Sequence, residues 1–209
     1  ALADVALGEV NALARQEWTR VRIEVNTGQY LDLVGAAARR SGADHALSVM
    51  TLKTARYTVE RPLRMGAAAT GNAAAQLMTA LSAYGTELGI AFQLRDDVLG
   101  VFGEEDVTGK PVGDDLREGK ATLLVSLARE NADDAQAHLL GVIGDPALSP
   151  AQVTELQQVI RGTGALLAVE TEIDHHHAVA LGHLAGAGLN DATVSALTEI
   201  AGRMVRRAY

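Results

Sequence analysis

The sequence predicts an all-α protein. Apolar residues recur at three- and four-residue intervals along the whole chain, and no stretch alternates apolar with polar as a half-buried strand does. The apolar 48% of residues contains only 3% aromatics, so the core is built from Leu, Ala, Val and Ile. A chain of 209 residues is ample for one such core. The expected arrangement is a single helical domain over residues 1–209, a bundle around a deep cavity.

Ala1–Ala14 reads as a helix with Leu2, Val5, Ala6, Val10 and Leu13 on one side. A second helix is expected from Glu17 to Arg40, interrupted where Asn26-Thr27-Gly28 brings turn chemistry. Ser41-Gly42-Ala43-Asp44 ends it, and Asp44 can cap the next helix, His45 to Val59. Arg61-Pro62 should break that helix, with another beginning at Arg64. Ala73–Phe102 carries the longest helical pattern. It is apolar on much of its circumference, which places it centrally.

A polar loop, Gly103–Gly113, follows. Asp114 or Asp115 is expected to cap a helix running from Leu116 to Glu130. A short helix around Ala135–Ile143 precedes the breaker Gly144-Asp145-Pro146, and Ser149-Pro150 supplies an N-cap with proline at the first helical position. Gly162-Thr163-Gly164 closes that helix. The last two helices, Ala165–Ala187 and Asp191–Arg207, are joined by Gly188-Leu189-Asn190.

Composition removes several function classes. Twenty-six acidic residues against 18 basic ones give a net charge of −8, which argues against a nucleic-acid surface. Without cysteine there is no disulfide and no thiolate metal site. No signal peptide and no apolar run long enough to span a bilayer is visible, so a cytoplasmic setting is expected. His175-His176-His177 is not a metal site, because successive helical side chains diverge by about 100°. Arg203, Arg206 and Arg207 suit the negative end of the last helix's dipole.

The chemistry concentrates between Phe92 and Leu124, FQLRDDVLGVFGEEDVTGKPVGDDLREGKATLL. On a helix Gln93, Asp96 and Asp97 share one face. Adjacent carboxylates repel each other, and a bound divalent cation relieves them. Lys110 and Lys120, which flank a second acidic pair, Asp114-Asp115, are poorly explained by a metal alone. They make sense if the metal carries a polyphosphate. Asp-Asp on a helix end is, by itself, most often a solvated face; so is a single helical lysine such as Lys53, or the pair Gln29 and Asp32.

Three segments together carry more. FQLRDDVLG with GKPVGDDLREGKATLL resembles the second aspartate-rich region of the trans-isoprenyl diphosphate (polyprenyl) synthases, in the flavour of actinobacterial geranylgeranyl diphosphate synthases. GQYLDL (28–33) and KTARYTVERPLRMGA (53–67) match the same family upstream and in order. The resemblance implies an isoprenoid-synthase-type bundle that condenses isopentenyl diphosphate with an allylic diphosphate, using Mg²⁺, as a homodimer with the first helices in its interface. It also implies that the chain is the C-terminal two thirds of such an enzyme and is inactive alone, since the family's first motif, Asp-Asp-x-x-Asp, is absent from these residues.

Within that resemblance Gln29 and Asp32 line the allylic side of the cavity, and Lys53 with Thr54 grips the allylic diphosphate. Tyr57, Phe92 and Gln93 contact substrate, while Lys110 and Lys120 neutralise phosphate charge. Asp96 is the expected direct Mg²⁺ ligand, with Asp97 and Asp115 acting directly or through water. TGKPVGDD is expected to act as a lid. Gly85, Gly89 and Ala91 either allow close helix approach or leave room for an isoprenoid tail. Gly100 stands where the family often has a third motif aspartate. A non-catalytic, prenyl-synthase-like partner or regulatory subunit is the alternative reading. Retention of Lys53, Gln93, Asp96, Asp97, Lys110 and Lys120 together favours the enzyme.

Overall fold

The computed structural model describes Asp4 and residues 8–38 and 43–206, and every regular element among them is helical. In chain order these are α1 (Ala12–Ala37), α2 (Ala43–Met50), a π-helical segment π1 (Thr51–Glu60), α3 (Arg61–Ala69) and α4 (Ala75–Phe102). Then come α5 (Glu105–Thr108), α6 (Asp114–Glu118), α7 (Leu123–Glu130), α8 (Asp134–Leu140), α9 (Pro150–Gly162), α10 (Ala165–Leu184) and α11 (Asp191–Val205). The all-α expectation holds.

Helix α4 is the central post. Leu77, Leu81, Tyr84, Leu88, Ala91, Leu94 and Val98 are buried along it, with α10 packed on one side and π1 on the other. The Tyr84 hydroxyl donates to the Leu197 carbonyl at 2.8 Å, and Arg95 grips Glu170 of α10 through two nitrogens at 2.7 and 2.6 Å. The glycines of α4 serve close approach. A Cβ at Gly85 would stand 2.5 Å from Glu60 Cα, and one at Gly89 2.4 Å from Ala55 Cα.

Several expected boundaries move. Residues 1–3 and 5–7 of the first expected helix lie outside the described residues. Asp4 is helical, Gly8, at φ 59°, through Asn11 is not, and the second helix begins at Ala12 rather than Glu17. Asn11 caps it, its side-chain oxygen accepting from the Ala14 N–H at 2.9 Å. No interruption occurs at 26–28. Asn26 and Thr27 donate back to the carbonyls of Arg22 and Ile23 at 2.6 and 2.9 Å, which keeps their polar groups inside the helix. Ser41 and Gly42, and the Asp44 side chain with its proposed cap, lie outside the described residues.

Arg61-Pro62 does not break the chain's helical course. A proline ring collides with the carbonyl four residues back in a regular helix. Here the register widens first, so that the Arg61 N–H bonds the Arg56 carbonyl five residues back, and Pro62 falls in the first turn of α3. The expected helix from Leu116 to Glu130 is cut in two at Gly119 (φ 68°), which lies against Gly144. Neither Asp114 nor Asp115 caps α6; Gly113 holds that position, and Thr122 caps α7 by accepting from the Val125 N–H at 3.2 Å.

The Ser149-Pro150 start and the stop at Gly162 hold, while the helices expected to end at Ile143 and Ala187 end at Leu140 and Leu184. Asp133 with Gln136 and Ser149 with Gln152 form capping boxes, and Asn190 caps α11. Of the histidine triplet, His175 is exposed and His176 meets Glu87 at 2.5 Å. Nε2 of His177 is buried without a hydrogen-bond partner, and burial lowers that group's pKa. Arg206 returns a bond to the Gly202 carbonyl, while Arg207 lies outside the described residues.

Candidate metal and diphosphate site

A cleft of about 840 Å³ opens between α1, the α2–π1 segment, the C-terminal end of α4 and the α6–α7 turn. It gathers Asp32, Lys53, Thr54, Gln93, Asp96, Asp97, Asp115 and Lys120 from the expected set. Gln29, Tyr57, Phe92 and Lys110 are not on its wall: Gln29, Tyr57 and Lys110 are exposed, and Phe92 is half-buried. Lys110 still acts on the site at longer range, its charge favouring the ionised form of Asp115.

Local geometry explains the convergence. Successive residues of a regular helix point about 100° apart, which would send Lys53 and Thr54 in different directions. The wider π1 turn holds more residues per turn, so the two neighbours diverge less and both face the cleft. Across the gap Lys53 Nζ meets Asp32 Oδ2 at 2.6 Å, a pair open enough to solvent to exchange partners.

The acidic side is unusually crowded. Asp96 is exposed in the cleft, whereas Asp97 is only 8% exposed and accepts from Gln93 Nε2 at 2.7 Å. Burial, followed by the charges of Asp115 and Asp96, pushes the Asp97 carboxyl up to about 7 against the pull of Gln93 and Lys120. Burial also raises Asp115, and its contact with Lys120 returns only part of that shift. Burial alone would lower the Lys120 ammonium, but Asp115 and Glu118 outweigh it and hold the group above the ordinary lysine range. Asp114, Asp115 and Glu118 offer oxygen atoms within 4.8 Å of one another.

Gly100 acquires a reason. A Cβ there would stand 2.1 Å from Asp115 Oδ2, so the carboxylate of α6 fills the space above the glycine. A third aspartate at that place could not coexist with Asp115 as it sits. The donor set around Asp96, Asp97 and Asp115 is all carboxylate oxygen, the choice of a hard cation such as Mg²⁺ or Ca²⁺.

Sequence reasoning missed His45, Glu118 and Arg129 on the cleft wall. Glu118 was recoverable, because it stands three residues after Asp115 on one helical face. His45 was not: its ring lies against Gly35 of α1, a contact that only the tertiary packing creates.

The family model for polyprenyl synthetase matches residues 6–160. The chain belongs to the polyprenyl synthetase family. A geranylfarnesyl diphosphate synthase from Aeropyrum pernix is 37% identical over 144 residues, 69% of this chain and 44% of that protein. A geranylgeranyl diphosphate synthase from Mycobacterium tuberculosis is 43% identical over 84 residues, 40% of this chain and 24% of that protein. Among solved structures, geranylgeranyl pyrophosphate synthase from Corynebacterium glutamicum, complexed with isoprenyl diphosphate and magnesium, superposes with a TM-score of 0.90. It is 39% identical, over 95% of this chain and 57% of that one. The chain spans about half the length of the curated relatives it matches. Among the described residues no helix is long and apolar enough to cross a membrane.

Proposed function

We infer that this chain carries the metal and diphosphate half of a trans-prenyltransferase, in which isopentenyl diphosphate is added to an allylic diphosphate to lengthen a polyprenyl diphosphate. The observation that carries the reading is one cleft holding Lys53, Thr54, Gln93, Asp96, Asp97, Asp115 and Lys120 together. The best single product is geranylgeranyl diphosphate, by likeness to the synthases from Mycobacterium tuberculosis and Corynebacterium glutamicum. The residues form a single domain that works in the cytoplasm.

Such a condensation needs no protein nucleophile. The allylic C–O bond breaks to release pyrophosphate, the double bond of isopentenyl diphosphate attacks the cation, and the released pyrophosphate takes the proton that leaves; the barrier is charge separation. Asp96, Asp97 and Asp115 would hold Mg²⁺, which supplies positive charge at the departing diphosphate. Lys53 and Lys120 bind the remaining phosphate oxygens, Thr54 can donate a further hydrogen bond, and Gln93 fixes Asp97. We place Gln29, Tyr57 and Phe92 toward the prenyl chain and Lys110 on a segment that closes over phosphate. A homodimer through α1 is supported by Ile23, Tyr30 and Leu33, apolar side chains left 62%, 65% and 61% exposed.

The test uses a farnesyl S-thiolodiphosphate analogue, which resists ionisation. In equilibrium dialysis the chain should retain it with Mg²⁺ and release it on adding EDTA. Retention that ignores EDTA, or no retention at all, contradicts the reading.

A further inference from the structure

The π-helical segment that presents Lys53 and Thr54 is gripped from both sides at glycines. From α1, a Cβ on Gly28 would stand 2.7 Å from the Lys53 backbone nitrogen and 3.0 Å from its Cα. From α4, a Cβ on Gly89 would stand 2.4 Å from Ala55 Cα and 2.8 Å from its carbonyl oxygen. Carbon atoms make ordinary contact at about 3.5–4.0 Å. The two helices therefore touch the π1 backbone itself, at Lys53 and two residues beyond it. Ala55, fully buried between them, leaves no slack. Beyond these points the segment is pinned at its far end, where Gly85 lies against Glu60 and Ser82 donates to Glu60 Oε1 at 2.6 Å.

A ten-residue π-helix is not a conformation that Thr51–Glu60 would hold alone, since single-turn bulges are the usual limit. Nothing in TLKTARYTVE selects the wider register over the ordinary one. Pro62 accounts for the widened turn at the segment's end, and contact from outside holds it at Lys53 and Ala55. The backbone cannot move toward α1 at Lys53 or toward α4 at Ala55, and the register that fits between them turns Lys53 and Thr54 into the cleft together.

We propose that Gly28 of α1 and Gly89 of α4 are positioning residues for diphosphate binding, acting through Lys53 by clamping the π1 backbone on both sides. This rests on the diphosphate reading of the cleft. Any side chain at position 28 displaces the Lys53 backbone by roughly 1 Å, enough to weaken a charged hydrogen bond whose loss costs roughly 10- to 100-fold in affinity.

The test measures magnesium pyrophosphate binding to the 209-residue chain by titration calorimetry, with each variant's fold checked by circular dichroism and thermal melting. Gly28→Ala should weaken binding by about 10- to 100-fold. Gly66→Ala, a helical glycine with open space around it, should leave binding unchanged. The deciding comparison is the double variant. If Gly28 acts through Lys53, Gly28→Ala/Lys53→Ala binds no more weakly than Lys53→Ala alone, within about twofold, the failure of additivity expected of coupled neighbours.

Additive losses, or losses that merely track the fall in melting temperature, overturn the proposal while leaving the diphosphate site intact. If the parent chain does not bind magnesium pyrophosphate, or Lys53→Ala binds it as the parent does, the diphosphate reading fails and the proposal with it. Hydrogen exchange on the unaltered chain needs no folded variant. The Ala55–Glu60 amides should be protected before pyrophosphate is added and gain little afterwards. Free exchange until ligand arrives would mean that ligand, not the glycines, sets the register.

Discussion

Two clusters of charge lie on either side of π1, and their contrast separates a scaffold from a site. At one, Glu17, Glu24 and Glu60 face Arg56, Arg61 and Arg64. Arg61 alone reaches Glu24 at 2.7 and 2.6 Å and Glu17 at 2.9 Å, and Arg64 meets Glu17 at 2.7 Å. Burial would raise Glu17 and Glu24, but the guanidiniums outweigh it and both carboxyls are held below their ordinary values. At the other, Asp32, Asp96, Asp97, Asp115 and Glu118 share a cleft with Lys53, Lys120 and Arg129. Here burial and mutual repulsion win, and Asp97 and Asp115 are pushed up. Carboxylates matched by fixed guanidiniums ask for nothing further. Carboxylates in excess are completed by a cation from solution.

The largest expected effect lies in the matched cluster. Arg61→Ala takes from Glu17 and Glu24 the buried guanidinium they share, leaving Arg64 to Glu17 and Arg56 to Glu24, and should cost about 3 kcal/mol of stability, read by chemical denaturation. A loss under about 1 kcal/mol, the scale of an exposed pair, would remove the contrast. Asp96→Ala should behave the other way round. Asp96 is exposed, so the melting temperature should hardly move. Turnover of the active enzyme should fall by about 10²–10³, the scale of one lost preorganised charge contact.

The two clusters also answer pH with opposite signs. Asp97, raised from 3.8 to about 7, holds a proton in the folded metal-free protein that the unfolded chain has released. Stability should therefore fall as pH rises from about 4 to about 7, by at most about 1.4 kcal/mol per unit for this group. Glu17 and Glu24, held low, contribute stability that is complete above about 4.5 and lost as pH falls through their folded values. The metal-free protein should be most stable on the acid side of neutrality. Asp97→Asn should flatten part of the upper limb, Asp115 keeping the rest, and a profile unchanged by that substitution would contradict the burial argument. The smallest effect is expected for Asp114→Ala, since Asp114 neither caps α6 nor lines the cleft. Its turnover should stay within about threefold of the parent, against the 10²–10³ assigned to Asp96.

The part of this contrast that was legible in sequence is the part written in local chemistry. Gln93, Asp96 and Asp97 announce one face of a helix end, and Ser149-Pro150 announces a cap. Their meaning depends on neighbours within four residues. What was not legible depends on residues far apart. Gly28 reads as turn chemistry, yet it is a place where α1 presses on the backbone of Lys53. Gly100 reads as a lost ligand, yet the Asp115 carboxylate occupies that space from a helix that begins fourteen residues later. The π register leaves no pattern of its own, and Pro62, which reads as a break, follows the widened turn that accommodates it.

The most direct measurement is calorimetry of pyrophosphate binding at pH 7, with and without Mg²⁺, in two buffers of different ionisation heat. The account predicts binding that requires Mg²⁺ and releases more protons than Mg²⁺ displaces from pyrophosphate alone, because the cation also displaces the proton shared by folded Asp97 near neutral pH. It also predicts that Asp97→Asn lowers the proton release. Pyrophosphate binding of equal strength without Mg²⁺, with proton release unchanged by Asp97→Asn, would contradict a cleft whose excess carboxylates exist to hold a cation.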